Sequence, residues 1–337
     1  MAIKIAINGF GRIGRLVLRA IIESNRKDVK VIAINDLGTP DSNAHLLQYD
    51  SVHGVLPQKV RATKSTINAG KGPIKIFSEK NPEDLPWKEL NIDIVMECTG
   101  IFTSREKAQL HLNAGAKKVL ISAPSNDADI TVVYGVNHNK IRKSHKIISN
   151  ASCTTNCLAP VAKVLNGLCG INQGYMTTVH AFTGDQSLLD VLHSDPRRAR
   201  AASQSIIPTS TGAAKAVGLV LPELQGRLDG TAVRIPTPNV SMIDLVFNAK
   251  KKTDIESINN AMIRASNKEL KGVLAVENKP LVSIDYNHNP HSSIFDLTQT
   301  QVIKGKLGRI LSWYDNEWGF ANRMSDTASV VGKLIKK

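Results

Sequence analysis

The sequence has few cysteines, few aromatic residues and no long apolar stretch. Four cysteines in 337 residues are too few for a disulfide-stabilised fold, and no apolar run approaches the ~18 residues that cross a membrane. The first residues, MAIKIAINGFGR, lack the apolar stretch and the cleavage site of a signal peptide. Hydrophobic residues make up 42% of the chain, which is too apolar for intrinsic disorder. We therefore expect a cytoplasmic protein with reduced thiols, and not a secreted, membrane or disordered one.

The charge of the chain is unbalanced, because 43 lysines and arginines stand against 29 aspartates and glutamates and give a net charge of +14. A clustered basic surface binds nucleic acid by releasing counterions from phosphates, but most basic residues here are scattered and aromatic residues make up only 4% of the chain. The densest basic groups are 197–200, 250–252 and the C-terminal tail. We expect a solvated surface that attracts small anions, with nucleic acid or a host surface molecule as a secondary partner only.

The first 36 residues have the pattern of a dinucleotide-binding unit. A short apolar run at 3–7 is followed by GFGRIG at 9–14, and apolar residues then recur at helical spacing. A second apolar run follows at 29–34, and Asp36 stands 22 residues past Gly14. A lone glycine motif is a weak signal, but a strand, glycine turn, helix, strand and acid in this order form a dinucleotide-binding fingerprint.

Each residue of this fingerprint has a physical task. Gly9 permits the tight turn, Gly11 lets the backbone approach a pyrophosphate, and Gly14 lets the helix pack closely on the strand. The pyrophosphate lies at the helix N-terminus, where free N–H groups and the helix dipole favour an anion. Asp36 accepts hydrogen bonds from the adenosine ribose and repels a 2′-phosphate. We therefore predict NAD as the cofactor, in preference to NADP.

The pattern of predicted elements changes near residue 150. At ~100–200 residues per domain, the length predicts two domains. Strands and helices alternate up to residue 149, which predicts an α/β domain with a doubly wound, mostly parallel sheet. Later strands, such as 176–182, 231–236 and 242–251, alternate polar and apolar residues, which is typical of half-exposed antiparallel strands. A long polar loop at 183–210 and a helix near 254–266 complete an α+β domain with a mixed or antiparallel sheet, and a further helix is predicted at the C-terminus.

The stretch SNASCTTNC at 149–157 contains the candidate nucleophile. It joins a predicted strand to a helix that begins near Ser152, so Cys153 lies in the first helical turn, where we expect the dipole to lower the pKa of its thiol. A metal pair with Cys157 is discounted, because no second pair has zinc spacing. His180, at the end of a predicted strand, is the candidate base, although spacing alone makes a structural histidine as probable.

Five blocks of sequence carry a resemblance to a known family. They are NGFGRIGR (8–15), SNASCTTNC (149–157), RRARAA (197–202), PTSTGAAKA (208–216) and WYDNEWGF (313–320). In these blocks, their order and nearly its whole length, the chain resembles the phosphorylating glyceraldehyde-3-phosphate dehydrogenases. The resemblance implies a Rossmann NAD-binding domain at 1–150 and 316–337, and a catalytic domain at 151–315. It also implies a homotetramer in which the 183–206 loop crosses a subunit interface.

The resemblance further implies roles for individual residues. Cys153 attacks the aldehyde of glyceraldehyde 3-phosphate, His180 acts as base, and inorganic phosphate releases 1,3-bisphosphoglycerate from a thioester on Cys153. The positions that match the two phosphate sites of the family are Thr183 and Arg234 for the substrate phosphate, and Ser152, Thr154, Arg198, Thr211 and Gly212 for inorganic phosphate. The positions that match its cofactor site are Gly9, Gly11, Arg12, Ile13, Gly14, Asp36, Lys80, Ser122 and Asn316.

Two alternatives stay open beside this function. Erythrose-4-phosphate dehydrogenase is a close relative with the same cysteine, histidine and nucleotide turn, but it differs from this chain in the block aligned with PTSTGAAKA and in the residues after the catalytic histidine. A basic binding protein for nucleic acid or a host surface molecule is the alternative from another class, and the net charge of +14 is its only support.

Overall fold

The chain forms two compact units in the computed structural model, which describes residues 2–336. The first unit comprises residues up to 132, 138–151 and those from 321 on, and the second comprises 133–137 and 152–320. The division into domains at 150 and 316 stays a prediction, and these units assign 133–137 and 316–320 to the second half.

The first unit contains a nine-stranded sheet in the order β10-β11-β9-β8-β1-β2-β7-β6-β5, with β3 and β4 as a separate pair. Neighbouring strands from β10 to β7 are parallel, whereas β7, β6 and β5 are antiparallel. The strands are β1 (Ile3–Asn8), β2 (Val29–Asn35), β3 (Tyr49–Asp50), β4 (Gly54–Val55), β5 (Arg61–Ala62), β6 (Thr66–Asn68), β7 (Pro73–Phe77), β8 (Ile94–Glu97), β9 (Lys118–Ile121), β10 (Ile130–Thr131) and β11 (Ile147–Ser149).

The helices follow from apolar spacing and from capping side chains. Those whose residues lie in the first unit are α1 (Arg12–Glu23), α2 (Pro40–Gln48), α3 (Trp87–Leu90) and α4 (Arg105–Asn113). The second unit contains α5 (Cys153–Cys169), α6 (Ala213–Val220) and α7 (Ile255–Asn267), and α8 (Trp318–Lys336) belongs to the first unit from residue 321 on. The side chains of Thr39, Ser104 and Asp254 cap the N-termini of α2, α4 and α7 by accepting backbone N–H groups.

The first unit is held together by buried apolar side chains on its central strands. Ala6, Ala33 and Val95, on β1, β2 and β8, pack with Trp87 in one core cluster. Within the same unit α8 lies against β1, since a Cβ on Gly332 would meet the side chain of Ile3 at 2.2 Å. The close packing of these strands fixes the positions of their carboxyl ends, where ligands bind in open α/β sheets.

The second unit is built on an eight-stranded mixed sheet. The order is β13-β14-β12-β15-β19-β17-β16, with β18 paired to β19. Only β12 with β14 and β16 with β17 are parallel. The strands are β12 (Ile171–Ala181), β13 (Ile207–Ser210), β14 (Leu228–Ile235), β15 (Ser241–Ala249), β16 (Leu274–Glu277), β17 (Ser293–Asp296), β18 (Gln301–Ile303) and β19 (Leu307–Tyr314).

The predicted fold class is confirmed, because a mostly parallel sheet and a mixed sheet stand in the two units. Within residues 2–336, no helix has the length and apolar character needed to cross a bilayer.

Candidate active site

A cavity of about 550 Å³ lies in the first unit at the carboxyl ends of β1, β2 and β8. Gly9, Gly11, Asp36 and Lys80 line it, and all four were predicted to bind a cofactor. The cavity therefore lies where the strand order reverses around β1, which is the position of nucleotide sites in doubly wound sheets.

The three glycines of the turn have the steric properties that a pyrophosphate site requires. Gly9 has a φ of +87°, and a Cβ there would lie 2.7 Å from Thr99. A Cβ on Gly14 would lie 2.1 Å from the carbonyl oxygen of Gly9, so the close packing of α1 against the end of β1 requires a residue without a side chain at this position. A Cβ on Gly11 would meet nothing within 4 Å, and the space beside the first turn of α1 is therefore open. These residues fit a dinucleotide, because its phosphates can approach the free N–H groups there.

Asp36 and Arg12 are both held in place by partners in this unit. The Asp36 carboxylate accepts the N–H of Phe10 at 2.7 Å and that of Gly38 at 2.9 Å. Arg12 pairs with Asp50 at 2.7 Å. The guanidinium of Arg12 is thus engaged, and the anion-binding capacity of this turn lies in the backbone N–H groups of the helix start.

Of the remaining residues predicted to bind the cofactor, one lines the cavity, two lie elsewhere in the first unit and one lies in the second unit. Lys80 is exposed at the cavity, and half-buried Ile13 lies in the first turn of α1. Ser122 lies just past β9 and bonds to the thiol of Cys98, a residue that lines the cavity. Asn316 is buried in the second unit, where its side-chain oxygen accepts a hydrogen bond from Ser241 at 2.8 Å.

The second unit brings the candidate nucleophile and base together. Cys153 is the first residue of α5, and Ser152 caps this helix by accepting the N–H of Thr155 at 3.0 Å. His180 is the penultimate residue of β12, and its Nε2 lies 3.5 Å from the Sγ of Cys153. The pair therefore consists of a thiol at a helix N-terminus and a buried imidazole within hydrogen-bond distance.

The contacts of the imidazole ring assign its tautomer. Nδ1 of His180 lies 2.7 Å from the carbonyl oxygen of Ala181, which can only accept, and 3.0 Å from the guanidinium of Arg234, which can only donate. The shorter contact assigns the proton to Nδ1, and Arg234 has the Ala181 carbonyl as its own acceptor. The same carbonyl accepts a second hydrogen bond from Arg234 at 3.0 Å. Nε2 therefore presents its lone pair to the thiol of Cys153, as a proton acceptor requires.

The electrostatics differ from the expectation of a lowered thiol pKa. Burial raises the pKa of the Cys153 thiol, and the charge of Arg234 and the N–H and hydroxyl of Thr154 oppose this only in part. Burial and the same Arg234 charge lower the pKa of His180 to about 3. The dipole argument was wrong in sign because it omitted the cost of desolvating a thiolate. At neutral pH the pair is a thiol beside a neutral imidazole.

Arg234 also provides a contact point for an anion. Its guanidinium lies 3.4 Å from the hydroxyl of Thr183, the other residue predicted for the substrate phosphate. Its Nε is buried and has no hydrogen-bond partner among residues 2–336. An unpartnered guanidinium N–H next to a hydroxyl suits a phosphate oxygen, because such bonds are charge-assisted.

The residues predicted for inorganic phosphate gather around two helix N-termini. The hydroxyl of Thr155, in the first turn of α5, donates to the carbonyl of Ala213, the first residue of α6, at 3.3 Å. Thr211 and Gly212 directly precede α6, as Ser152 precedes α5. The first turns of two helices therefore lie side by side, which concentrates free N–H groups and the positive ends of two dipoles.

Arg198 is tied to the strand that leads into α6. It donates to the Thr209 hydroxyl at 3.0 Å and to the carbonyl of Ser210 at 3.3 Å, and it pairs with Asp185 at 2.8 Å. Thr209 was not predicted as a site residue.

A second group of residues was also missed by the sequence reasoning. The hydroxyl of Tyr314 lies 2.8 Å from that of Thr154 and 2.9 Å from that of Thr178, so three buried hydroxyl groups meet behind Cys153. Tyr314 ends β19, and its distance from Cys153 along the chain hides this contact. Its signal in the sequence was its place in the block WYDNEWGF (313–320), which carries the family resemblance.

Comparison with known proteins identifies the family to which the chain belongs. Two sequence models of protein families match the chain: "Glyceraldehyde 3-phosphate dehydrogenase, NAD binding domain" over residues 3–105, and "Glyceraldehyde 3-phosphate dehydrogenase, C-terminal domain" over residues 152–316. A dinucleotide-binding sheet in one unit and a cysteine–histidine pair in the other thus define an NAD-dependent dehydrogenase.

The chain belongs to the glyceraldehyde-3-phosphate dehydrogenase family. It is 65% identical to the glyceraldehyde-3-phosphate dehydrogenase of Xanthobacter flavus over 99% of this chain and 100% of that protein. It is 60% identical to the enzyme of that name from Cereibacter sphaeroides, with the same coverage. The one from Geobacillus stearothermophilus is 54% identical over 98% of each chain. The resemblance and the NAD cofactor predicted from the sequence are confirmed.

Proposed function

We propose that this chain oxidises D-glyceraldehyde 3-phosphate to 1,3-bisphosphoglycerate with NAD and inorganic phosphate, through a thioester on Cys153. The observation that carries the proposal is the Sγ of Cys153, 3.5 Å from an unprotonated Nε2 of His180 and beside the Arg234 guanidinium. A nucleophile, a base and anion contacts therefore lie within one unit. Family membership assigns the reaction class to them.

The first step is addition of Cys153 to the aldehyde. The sulfur forms a bond to the carbonyl carbon while Nε2 of His180 takes the thiol proton, which then passes to the developing alkoxide and gives a thiohemiacetal. The low pKa of His180 keeps this nitrogen free to accept a proton at neutral pH. The N–H groups of the first turn of α5 stabilise the alkoxide.

The second step removes the two hydrogens of the thiohemiacetal. His180 takes the hydroxyl proton, and the carbon keeps its bond to the Cys153 sulfur, so that a thioester remains. Bound NAD supplies the acceptor for the hydride that leaves this carbon. Gly9, Gly11, Asp36 and Lys80 would hold the dinucleotide at the cavity, and the free N–H groups in the first turn of α1 would bind its phosphates.

The third step is attack by inorganic phosphate. A phosphate oxygen forms a bond to the thioester carbon, the carbon–sulfur bond breaks, and the sulfur of Cys153 recovers a proton from His180. The adjoining N-termini of α5 and α6, with Ser152, Thr154, Thr211, Gly212 and Arg198 around them, hold this anion. Thr183 and Arg234 hold the phosphate already on the substrate.

The absorbance of reduced nicotinamide tests the proposal directly. Purified enzyme with NAD, glyceraldehyde 3-phosphate and phosphate should produce NADH at a rate that depends on phosphate. Cys153→Ser should abolish this rate while binding of NAD to the first unit is kept, and Cys169→Ser, at the far end of the same helix, is the matched control with activity retained. Full activity in Cys153→Ser would refute the nucleophile assignment.

The alternatives are tested in the same assay. Reduction of NAD with erythrose 4-phosphate and without a phosphate requirement would indicate the related dehydrogenase instead. The nucleic-acid alternative has little structural support, since Arg198 pairs with Asp185 and Arg200 pairs with Asp190 at 2.8 Å each. These carboxylates reduce the positive charge of the densest basic group.

We infer a homotetramer in the cytoplasm. The loop between β12 and β13 exposes large apolar side chains: Leu188, Leu189, Val191, Leu192 and Ile206. Leu192 is fully exposed and Leu189 is 73% exposed. A contiguous apolar segment of this kind is typical of a surface that a second subunit covers.

A further inference from the structure

A row of buried polar side chains crosses the first unit directly beneath the dinucleotide cavity. Asn8, Asn35 and Glu97 are the last residues of β1, β2 and β8, and each is at most 5% exposed. Their strands are neighbours in the order β8-β1-β2. Three polar side chains at adjacent strand ends therefore form one layer, which we call the strand-end row. The mechanism above makes no use of Glu97.

Glu97 is the anchor of the strand-end row, because four donors converge on its carboxylate. One oxygen accepts Nδ2 of Asn8 at 2.6 Å and Nε2 of His111 at 3.0 Å. The other accepts the N–H of Thr99 at 2.7 Å and also the Thr99 hydroxyl. Four donors and no acceptor require a carboxylate that only accepts. The charge is fully buried, which is costly unless every oxygen is satisfied.

The proton of His111 is fixed from the other side of the ring. The indole N–H of Trp87, which can only donate, lies 3.1 Å from Nδ1 of His111. Nδ1 is therefore unprotonated, and Nε2 carries the single proton that points at Glu97. Trp87 and His111 are both fully buried, so neither ring is in contact with solvent.

The orientation set by Glu97 passes along the row. Because the amide nitrogen of Asn8 donates to Glu97, its oxygen faces Asn35 and accepts from Nδ2 at 2.8 Å. The Asn35 oxygen in turn accepts the N–H of Glu79 at 2.8 Å. Glu79 precedes Lys80, and both line the cavity. At the other end Thr99 lines the cavity and touches the Gly9 turn.

We propose that Glu97 is a positioning residue for NAD, which orients Asn8 and Asn35 and holds the segments at Thr99 and Glu79 in the geometry that binds the adenosine and pyrophosphate part of the cofactor. The proposal rests on the proposed function only in taking NAD as the ligand. Glu97 acts on cofactor binding only through the residues that it orients, and it takes no part in the chemistry at Cys153. An acceptor-only group at this position sets the direction of every amide in the row.

Binding measured by calorimetry on the full-length enzyme tests this role. Glu97→Gln has the same shape but turns an N–H₂ group toward the donors. We expect NAD and ADP-ribose to bind about tenfold more weakly, the size of one lost hydrogen bond to a charged group. Val95→Ala, on the same strand and equally buried, is the matched control: it lowers stability by opening a cavity, and its affinity for both ligands should equal that of the wild type.

A second pair of variants separates orientation from simple loss of packing. His111→Gln keeps an N–H that can donate to Glu97, and His111→Leu removes it. Affinity near the wild-type value in the first and about tenfold weaker in the second supports the proposal, even if Glu97→Gln fails to fold. Equal affinities in these two variants, wild-type affinity in Glu97→Gln, or an equal loss in Val95→Ala would overturn it. If the wild type binds no NAD, the proposed function itself fails.

Discussion

At the scale of single residues, burial has the largest effect on the pKa values of the cysteine–histidine pair, and one neighbouring charge modifies both. Arg234 lies 3.0 Å from Nδ1 of His180 and favours the thiolate of Cys153. The same charge disfavours an imidazolium, so it lowers the pKa of both partners. A single guanidinium therefore offers a contact for an anion and also lowers the pKa values of Cys153 and His180.

Arg234→Leu should raise the pKa of the Cys153 thiol, because the charge that favours the thiolate is lost. The measurement is the rate of alkylation by iodoacetamide as a function of pH in the absence of substrate, whose midpoint should move to higher pH. Thr183→Val is the control, since Thr183 contacts Arg234 and carries no charge. An unchanged midpoint in Arg234→Leu would contradict the assigned cause.

The buried His180 makes stability depend on pH. Its pKa falls from 6.5 to about 3 on folding, so between these values the unfolded chain binds more protons than the folded one, and stability falls as the pH is lowered below 6.5. At about 1.4 kcal/mol per pH unit, this group alone removes roughly 3 kcal/mol between pH 6.5 and 4.

Urea unfolding at a series of pH values checks this dependence. In His180→Gln the loss of stability between pH 6.5 and 4 should be smaller than in the wild type by roughly this amount. His145→Gln is a matched histidine control: burial lowers the pKa of His145 too, but this half-buried side chain lies in a loop of the first unit. Parallel curves for wild type and His180→Gln would show that His180 is not buried in its neutral form.

The sequence predicted some of the residue roles in the site from local signals and could not predict others. The Cys153 position followed from a strand, a cap and a helix within nine residues, because each signal is local. The contact with His180, 27 residues away, needed the family resemblance, since no periodic pattern reports which strand ends meet. The sign of the thiol pKa could not be predicted, because burial of one atom is set by the packing of the whole unit.

At the scale of elements, the first helix and its glycine turn carry two separable requirements. Gly14 is needed for packing, since its Cβ would lie 2.1 Å from the carbonyl oxygen of Gly9. Gly11 has open space beside it and a φ of −72°, which any residue adopts. The first glycine concerns the fold, and the second concerns the ligand.

Alanine substitutions at these two positions should therefore separate stability from binding. Gly14→Ala should lower the free energy of unfolding by about 1–3 kcal/mol through overpacking, whereas Gly11→Ala should leave it nearly unchanged. Gly11→Ala should weaken NAD binding, because its methyl group occupies the approach of the pyrophosphate. Urea unfolding and calorimetric titration measure the two effects. Wild-type affinity for NAD in Gly11→Ala would place the phosphates elsewhere.

Element prediction succeeded where the pattern was periodic and failed where it was short. The strands β1 and β2, the helices α5 and α7 and the C-terminal helix lie within a few residues of their predicted bounds. The antiparallel edge β5–β7 and helix α2 were not predicted, because two- to nine-residue segments with mixed polarity carry little periodicity. Their pairing is decided by tertiary packing.

At the scale of the whole molecule, the proposed tetramer rests on the exposed apolar residues of the loop between β12 and β13. Leu192→Asp should destabilise the proposed tetramer, since it places a charge on a fully exposed leucine that a second subunit would desolvate. The control is Ile255→Asp, which adds the same charge to an exposed apolar residue in the first turn of α7, where an acid is favourable. Analytical ultracentrifugation at falling protein concentration should show dissociation of Leu192→Asp at concentrations where the control and the wild type remain tetrameric. If all three proteins sediment alike, the loop does not form the interface, and its apolar side chains need another partner.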